Sequence, residues 1–173
     1  NYTMSVIAIG IAAILDTLDG RVARLIKGTT KVGKELDSLT DVISFGVAPG
    51  FIMYFWTLNE IGKFGWMFVL IYAVCCALRL ARFNLTNIDE NEIWKINFFE
   101  GIPSPAAAGL VLLPLIFNLS GFIQLESYAI ISSITILTTS ILMVSKVPTY
   151  SLKRILISKH SAIFLLLGIG IFV

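Results

Sequence analysis

The stretch DTLDGRVARLIKGTTKVGKELDSLTD, residues 16–41, holds four aspartates: Asp16, Asp19, Asp37 and Asp41. An apolar run precedes it, YTMSVIAIGIAAIL (2–15), and another follows, VISFGVAPGFIMYFW (42–56). Two acids therefore close one apolar segment and two open the next. Ionisable groups in such places are costly to hold and tend to be functional. The bland alternative is a solvated loop whose acids pair with neighbouring Lys and Arg.

Helical geometry sharpens the pattern. Asp16 and Asp19 are three residues apart and Asp37 and Asp41 four apart, so each pair shares a helix face. The link RLIKGTTKVG (24–33) lets the chain turn at Gly28 and Gly33, where a backbone can also approach a ligand. Two helices joined this way can present four carboxylates to one point. Four carboxylates in a partly dry site cannot all stay ionised without a counter-charge. Hard oxygen ligands suit Mg²⁺ or Mn²⁺, and four of them suit two ions roughly 3.5–4 Å apart. Arg24, Lys27, Lys31 and Lys34 add positive charge suited to a diphosphate.

Outside this stretch the chain is oily. Of its 173 residues, 57% are hydrophobic and 14% charged, against about 25% charged in a soluble domain. Mean hydropathy is +0.88. A soluble all-helical core would leave several apolar faces in water, so the composition points to a polytopic membrane protein, an all-α transmembrane bundle forming one domain over 1–173. A net charge of +2 with no basic stripe argues against nucleic acid as a partner. Cys75 and Cys76 read as buried thiols, and the lone His160 as an interfacial residue. Residue 1 is Asn and no signal-peptide pattern heads the chain. The expectation is a chain that begins part-way into a longer protein.

Six apolar segments are expected as helices, at roughly 2–20, 39–58, 64–84, 104–119, 124–145 and 160–173. Threading six spans puts twelve of the thirteen basic residues on one side, with only Lys63 opposite. The positive-inside rule makes the basic side cytoplasmic. The aspartates then face the cytoplasm, in a polar cavity at that end of the bundle.

The pattern Asp16-x2-Asp19-Gly20-x2-Ala23-Arg24-x8-Gly33-x3-Asp37-x3-Asp41 resembles the signature of the CDP-alcohol phosphotransferase family, with all eight specified positions at the right spacing. The resemblance implies an integral membrane enzyme that moves a phosphatidyl-type group from a CDP-linked lipid to an alcohol and releases CMP. It implies that the four aspartates bind two divalent metals, Mg or Mn, and that Asp41 is also the general base. Gly20, Arg24 and Thr30 would contact the nucleotide diphosphate, with Ala23 and Gly33 small where helices and nucleotide approach closely. A homodimer is also expected from the family. A further transmembrane helix would precede the one carrying Asp16, and this chain starts too late to include it.

Three more stretches, ELDSLTDVISFGVAPG (35–50), ALRLARFN (77–84) and GIPSPAAAG (101–109), resemble the membrane-embedded phosphatidylserine synthases of that family. The substrates implied are CDP-diacylglycerol, or CDP-archaeol, and L-serine. Glycerol phosphate or inositol phosphate is the alternative acceptor within the family. A divalent-cation transporter is the alternative from another class, although it would place its acids at mid-span. Arg79 and Arg82, three apart on one face, read either as interfacial anchors or as an anion site for the serine carboxylate or a phosphate. Pro103 and Pro105 open the next segment, and Ala106–Gly109 form a small-residue patch for close helix packing.

Overall fold

The computed structural model describes residues 1–25, 31–85, 98–121, 127–145 and 148–150; at 19–25, 31, 85, 98–100 and 148–150 it describes the backbone alone. Helix α1 runs Tyr2–Leu25 and α2 Lys31–Asp41. A π-helical turn, Val42–Val47, carries α2 directly into α3, Ala48–Trp56. A 3₁₀ turn, Leu58–Ile61, leads to α4, Lys63–Leu85, followed by α5, Ser104–Ser120, and α6, Tyr128–Val144. The all-helical expectation holds apart from one short antiparallel pairing, β1 (Phe98–Glu100) with β2 (Pro148–Tyr150), in which Phe99 faces Thr149.

Five of the six expected segments are helices. The first extends five residues past its expected end, and the second begins at Lys31, well before residue 39. The sixth, 160–173, lies outside the described residues. Breakers act where their chemistry dictates. Gly121, at φ +69°, closes α5 in the left-handed conformation. Pro103 and Pro105 open α5, where a missing N–H costs nothing.

Two spans, Val32–Trp56 and Lys63–Asn84, are long and apolar enough to cross a membrane, and only 28% of each is buried within the chain. The other apolar helices, Tyr2–Leu18, Ser104–Leu119 and Tyr128–Val144, are shorter. Along α4 the residues turned outward include Met67, Leu70, Ile71, Val74 and Leu78. A buried helix of a water-soluble protein would hide these side chains, so the outward apolar faces mark a membrane-associated chain.

Helix α4 forms the axis of the core. Its Val69, Tyr72, Cys76 and Leu80 pack with Met53, Val111, Leu115, Ile136 and Met143 from α3, α5 and α6. Gly46 and Gly50, four apart, let the α2–α3 rod lie close against it. A Cβ at Gly46 would come within 3.0 Å of Cys76 Cβ, and one at Gly50 within 2.9 Å of Val69 Cγ1. This is the small-xxx-small packing of membrane helices. Helix α1 runs antiparallel to the same rod. The Tyr2 hydroxyl donates to the Phe55 carbonyl at one end (2.9 Å), and Asp16 meets Asp41 at the other.

Candidate active site

Four helices bring polar side chains to one end of the bundle. Asp16 arrives on α1, Asp37 and Asp41 on α2, Arg79 and Arg82 on α4, and Ser104 at the first turn of α5. The Asp16 and Asp41 carboxyl groups lie within hydrogen-bonding reach, and Asp37 and Arg79 are close enough to act on Asp41 by charge. Asp16 and Asp41 are partly buried, while Asp37 is exposed. Asn84 Nδ2 donates to Ser38 Oγ at 2.8 Å, fastening the end of α4 to the turn between Asp37 and Asp41.

The π turn explains why Asp41 faces this site. Gly46 packs on Cys76 of α4, and Asp41 is five residues earlier. In a regular α-helix, five residues leave two side chains about 140° apart. A π turn bonds residue i to i+5 and brings the two close to one face. The Ala48 N–H accordingly bonds the Ile43 carbonyl. Pro49 disturbs the regular register here: it has no N–H to offer the Phe45 carbonyl four residues back. The buried Tyr72 hydroxyl of α4 donates to that carbonyl instead, at 2.7 Å.

The two arginines differ. Arg79 Nη1 donates to Ser104 Oγ at 2.7 Å, and its charge acts on Asp41 and Cys76. Arg82 Nη1 donates to the Val144 carbonyl at the C-terminal end of α6, at 3.2 Å, where a cation complements the helix dipole. Gly101 packs at the same helix end. Its φ of +77° and a virtual Cβ only 2.7 Å from the Met143 carbonyl leave room for no side chain.

Of the four aspartates expected to share one centre, the structure brings Asp16 and Asp41 together, with Asp37 near enough to act on Asp41 by charge. The side chains of Asp19, Gly20, Ala23 and Arg24 lie outside the described residues, although their backbone continues α1. Thr30 lies wholly outside them, and Gly33 sits in the first turn of α2. Among the described residues no group of three or more His, Cys, Asp or Glu is placed to hold a metal. The donor set nevertheless fits a hard divalent cation. Two carboxylates this close repel each other, and a hard cation between them would relieve that repulsion. A polar pocket of about 250 Å³, lined by Trp56, Thr57, Glu60, Asn118, Ser127 and Tyr128, opens at the opposite end of the bundle, away from the aspartates.

Sequence reasoning missed Tyr72, Ser38, Asn84 and the bond from Arg79 to Ser104. Pro49, standing a short way past Asp41, was the one signal for the π turn.

A paired carboxylate site on antiparallel apolar helices, with the aspartate spacing described, defines a class: the chain belongs to the CDP-alcohol phosphatidyltransferase family, whose model matches residues 1–149. Relatives from several organisms carry the name CDP-diacylglycerol–serine O-phosphatidyltransferase. The Mycobacterium leprae protein is 37% identical over 169 residues, covering 95% of this chain and 55% of the relative. The Helicobacter pylori protein is 41% identical over 143 residues, covering 82% and 58%. The protein from the archaeon Methanocaldococcus jannaschii is 37% identical over 142 residues, covering 81% and 61%. The chain thus spans little more than half the length of these relatives.

Proposed function

We propose that this chain transfers a phosphatidyl group from CDP-diacylglycerol, or its archaeol counterpart, to L-serine, giving phosphatidylserine and CMP. The observation that carries the reading is the meeting of Asp16 and Asp41 beside Asp37 and Arg79, in a family member whose relatives bear that enzyme name. The lipid substrate fits a chain with apolar outward faces. The bundle is multi-pass, with the aspartate end toward the cytoplasm, because the basic links fall at that end.

Asp16, Asp19, Asp37 and Asp41 would hold two divalent ions, Mg or Mn, which when bound supply the charge neutralisation that a diphosphate leaving group needs. The rest of the chemistry belongs to the protein. Asp41 takes the proton from the serine hydroxyl as that oxygen bonds the lipid-side phosphorus and the phosphorus–oxygen bond to CMP breaks. Arg24, with Gly20, Ala23, Thr30 and Gly33, lines the nucleotide side. Arg79 pairs with the serine carboxylate through the bidentate fork that a guanidinium offers. Arg82, anchored on α6, contributes positive charge to the same end.

The test is CMP release by the purified protein in lipid nanodiscs with CDP-diacylglycerol, Mg²⁺ or Mn²⁺, and alcohols offered singly. Release that depends on L-serine supports the reading. Release that depends instead on glycerol phosphate or inositol phosphate reassigns the acceptor.

A further inference from the structure

We infer that Ser104 is a positioning residue whose hydroxyl fixes the Arg79 guanidinium for the carboxylate of the acceptor amino acid; this rests on the acceptor reading above. Ser104 stands at the first position of α5, just past the cap residue Pro103, and is only 1% exposed. Its oxygen accepts from Arg79 Nη1 at 2.7 Å, and the Cys76 thiol lies beside it.

Cys76 and Arg79 are three residues apart and share one face of α4. The small buried hydroxyl lies between them, and turning it away from Arg79 would leave a buried group unpaired. Arg79 is tethered in turn at one nitrogen. Its Nε is buried and has no hydrogen-bond partner among the described residues. A buried donor left so is costly, and an arriving anion would offset that cost. Asp41 lies within reach of the Arg79 charge. In a 2-amino-3-hydroxy acid, two carbons separate the carboxylate from the hydroxyl. One such molecule can place its carboxylate on Arg79 and its hydroxyl at Asp41. Without Ser104, a long guanidinium stem has several rotamers and no reason to prefer this one.

The experiment measures steady-state KM for L-serine and for CDP-diacylglycerol in nanodiscs, with thermal melts of each protein. Ser104→Ala is expected to raise the serine KM roughly tenfold, the size of one buried hydrogen bond to a charged group, and to leave the CDP-diacylglycerol KM within about twofold. Ser104→Thr, which keeps the hydroxyl, should restore the serine KM. In an Arg79→Lys background, Ser104→Ala should add nothing further, because both changes remove the same contact. If Ser104→Ala does not fold, Ser104→Cys, close in size but a poor acceptor, should show the same KM split. Wild type without serine-dependent CMP release overturns both the acceptor reading and this inference. Serine-dependent release with an unchanged serine KM in Ser104→Ala overturns the inference alone. So do equal rises in both KM values with a lowered melt, or a full further loss in the Arg79→Lys background.

Discussion

Replacing Tyr72 by Phe removes one oxygen and nothing else. Tyr72 is fully buried and Phe45 nearly so, so the 2.7 Å bond between the Tyr72 hydroxyl and the Phe45 carbonyl is shielded from solvent. The donor that an α-helix would supply is Pro49, which has no N–H. The carbonyl therefore loses its partner in a buried place, at a cost of about 1–3 kcal/mol, equivalent to about a 5–150-fold shift in the unfolding equilibrium. Cys76 is fully buried on the same face of α4 and reports opening directly. In a Cys75→Ser background, thiol labelling of Cys76 against increasing denaturant should show an earlier midpoint for Tyr72→Phe than for Tyr72. CMP release should fall as well, because the same bond holds the turn that aims Asp41. Pro49→Ala in the Tyr72→Phe protein restores a backbone donor and should recover part of the stability without the activity. Identical labelling midpoints with and without the hydroxyl would refute the reasoning.

Asp16→Ala and Asp37→Ala should each abolish CMP release while leaving the melting profile of a folded membrane protein, and excess Mg²⁺ or Mn²⁺ should rescue them only partly; full activity of Asp37→Ala would sink the shared-centre reading. Asp41→Asn keeps size and a ligand oxygen but loses the proton acceptor, so turnover should drop by about 10²–10⁴-fold with CDP-lipid binding retained, and near-normal turnover would remove Asp41 as the base. Arg79→Lys should raise the serine KM more than Arg82→Lys does, because Arg82 is already tied to the end of α6. Steady-state kinetics of the pair, with ethanolamine as the acceptor lacking a carboxylate, decides between them.

The aspartates were legible because their spacing is local. Three or four residues on a helix fix a shared face whatever the partner, and apolar runs on either side fix which ends meet. The helices were legible for the same reason, although the second begins at Lys31 and not near 39, because the charged residues of KVGKELDS mask the start of the span. What escaped depends on pairing between helices. Neither Tyr72 nor Phe45 carries any mark of the other, 27 residues away. ALRLARFN placed Arg79 and Arg82 on one face, but only the packed helices send one to Ser104 and the other to Val144. Ser104 lay within a stretch noted for its prolines and alanines, and its turn toward α4 depends on where α4 lies.

The antiparallel contact of α1 with the α2–α3 rod also sets a depth. Tyr2 meets Phe55 and Asp16 meets Asp41, so fourteen residues separate the two contacts on each helix, about 21 Å at the helical rise. In the membrane placement proposed above, Phe55 and Trp56 would belong with the aromatic girdle at one interface, and a hydrocarbon layer of about 30 Å measured from there would extend roughly 9 Å beyond the paired carboxylates. At that depth Val32, Leu36 and Leu39, exposed on α2, would meet acyl chains. In the membrane proposed for this chain, the carboxylates would therefore sit below the plane of the headgroups. A lipid would reach them by sinking its diphosphate along the bundle without leaving its leaflet. The water-soluble acceptor would have to come down a wetted shaft from above, so the two reactants would meet from different phases at a point that belongs to neither.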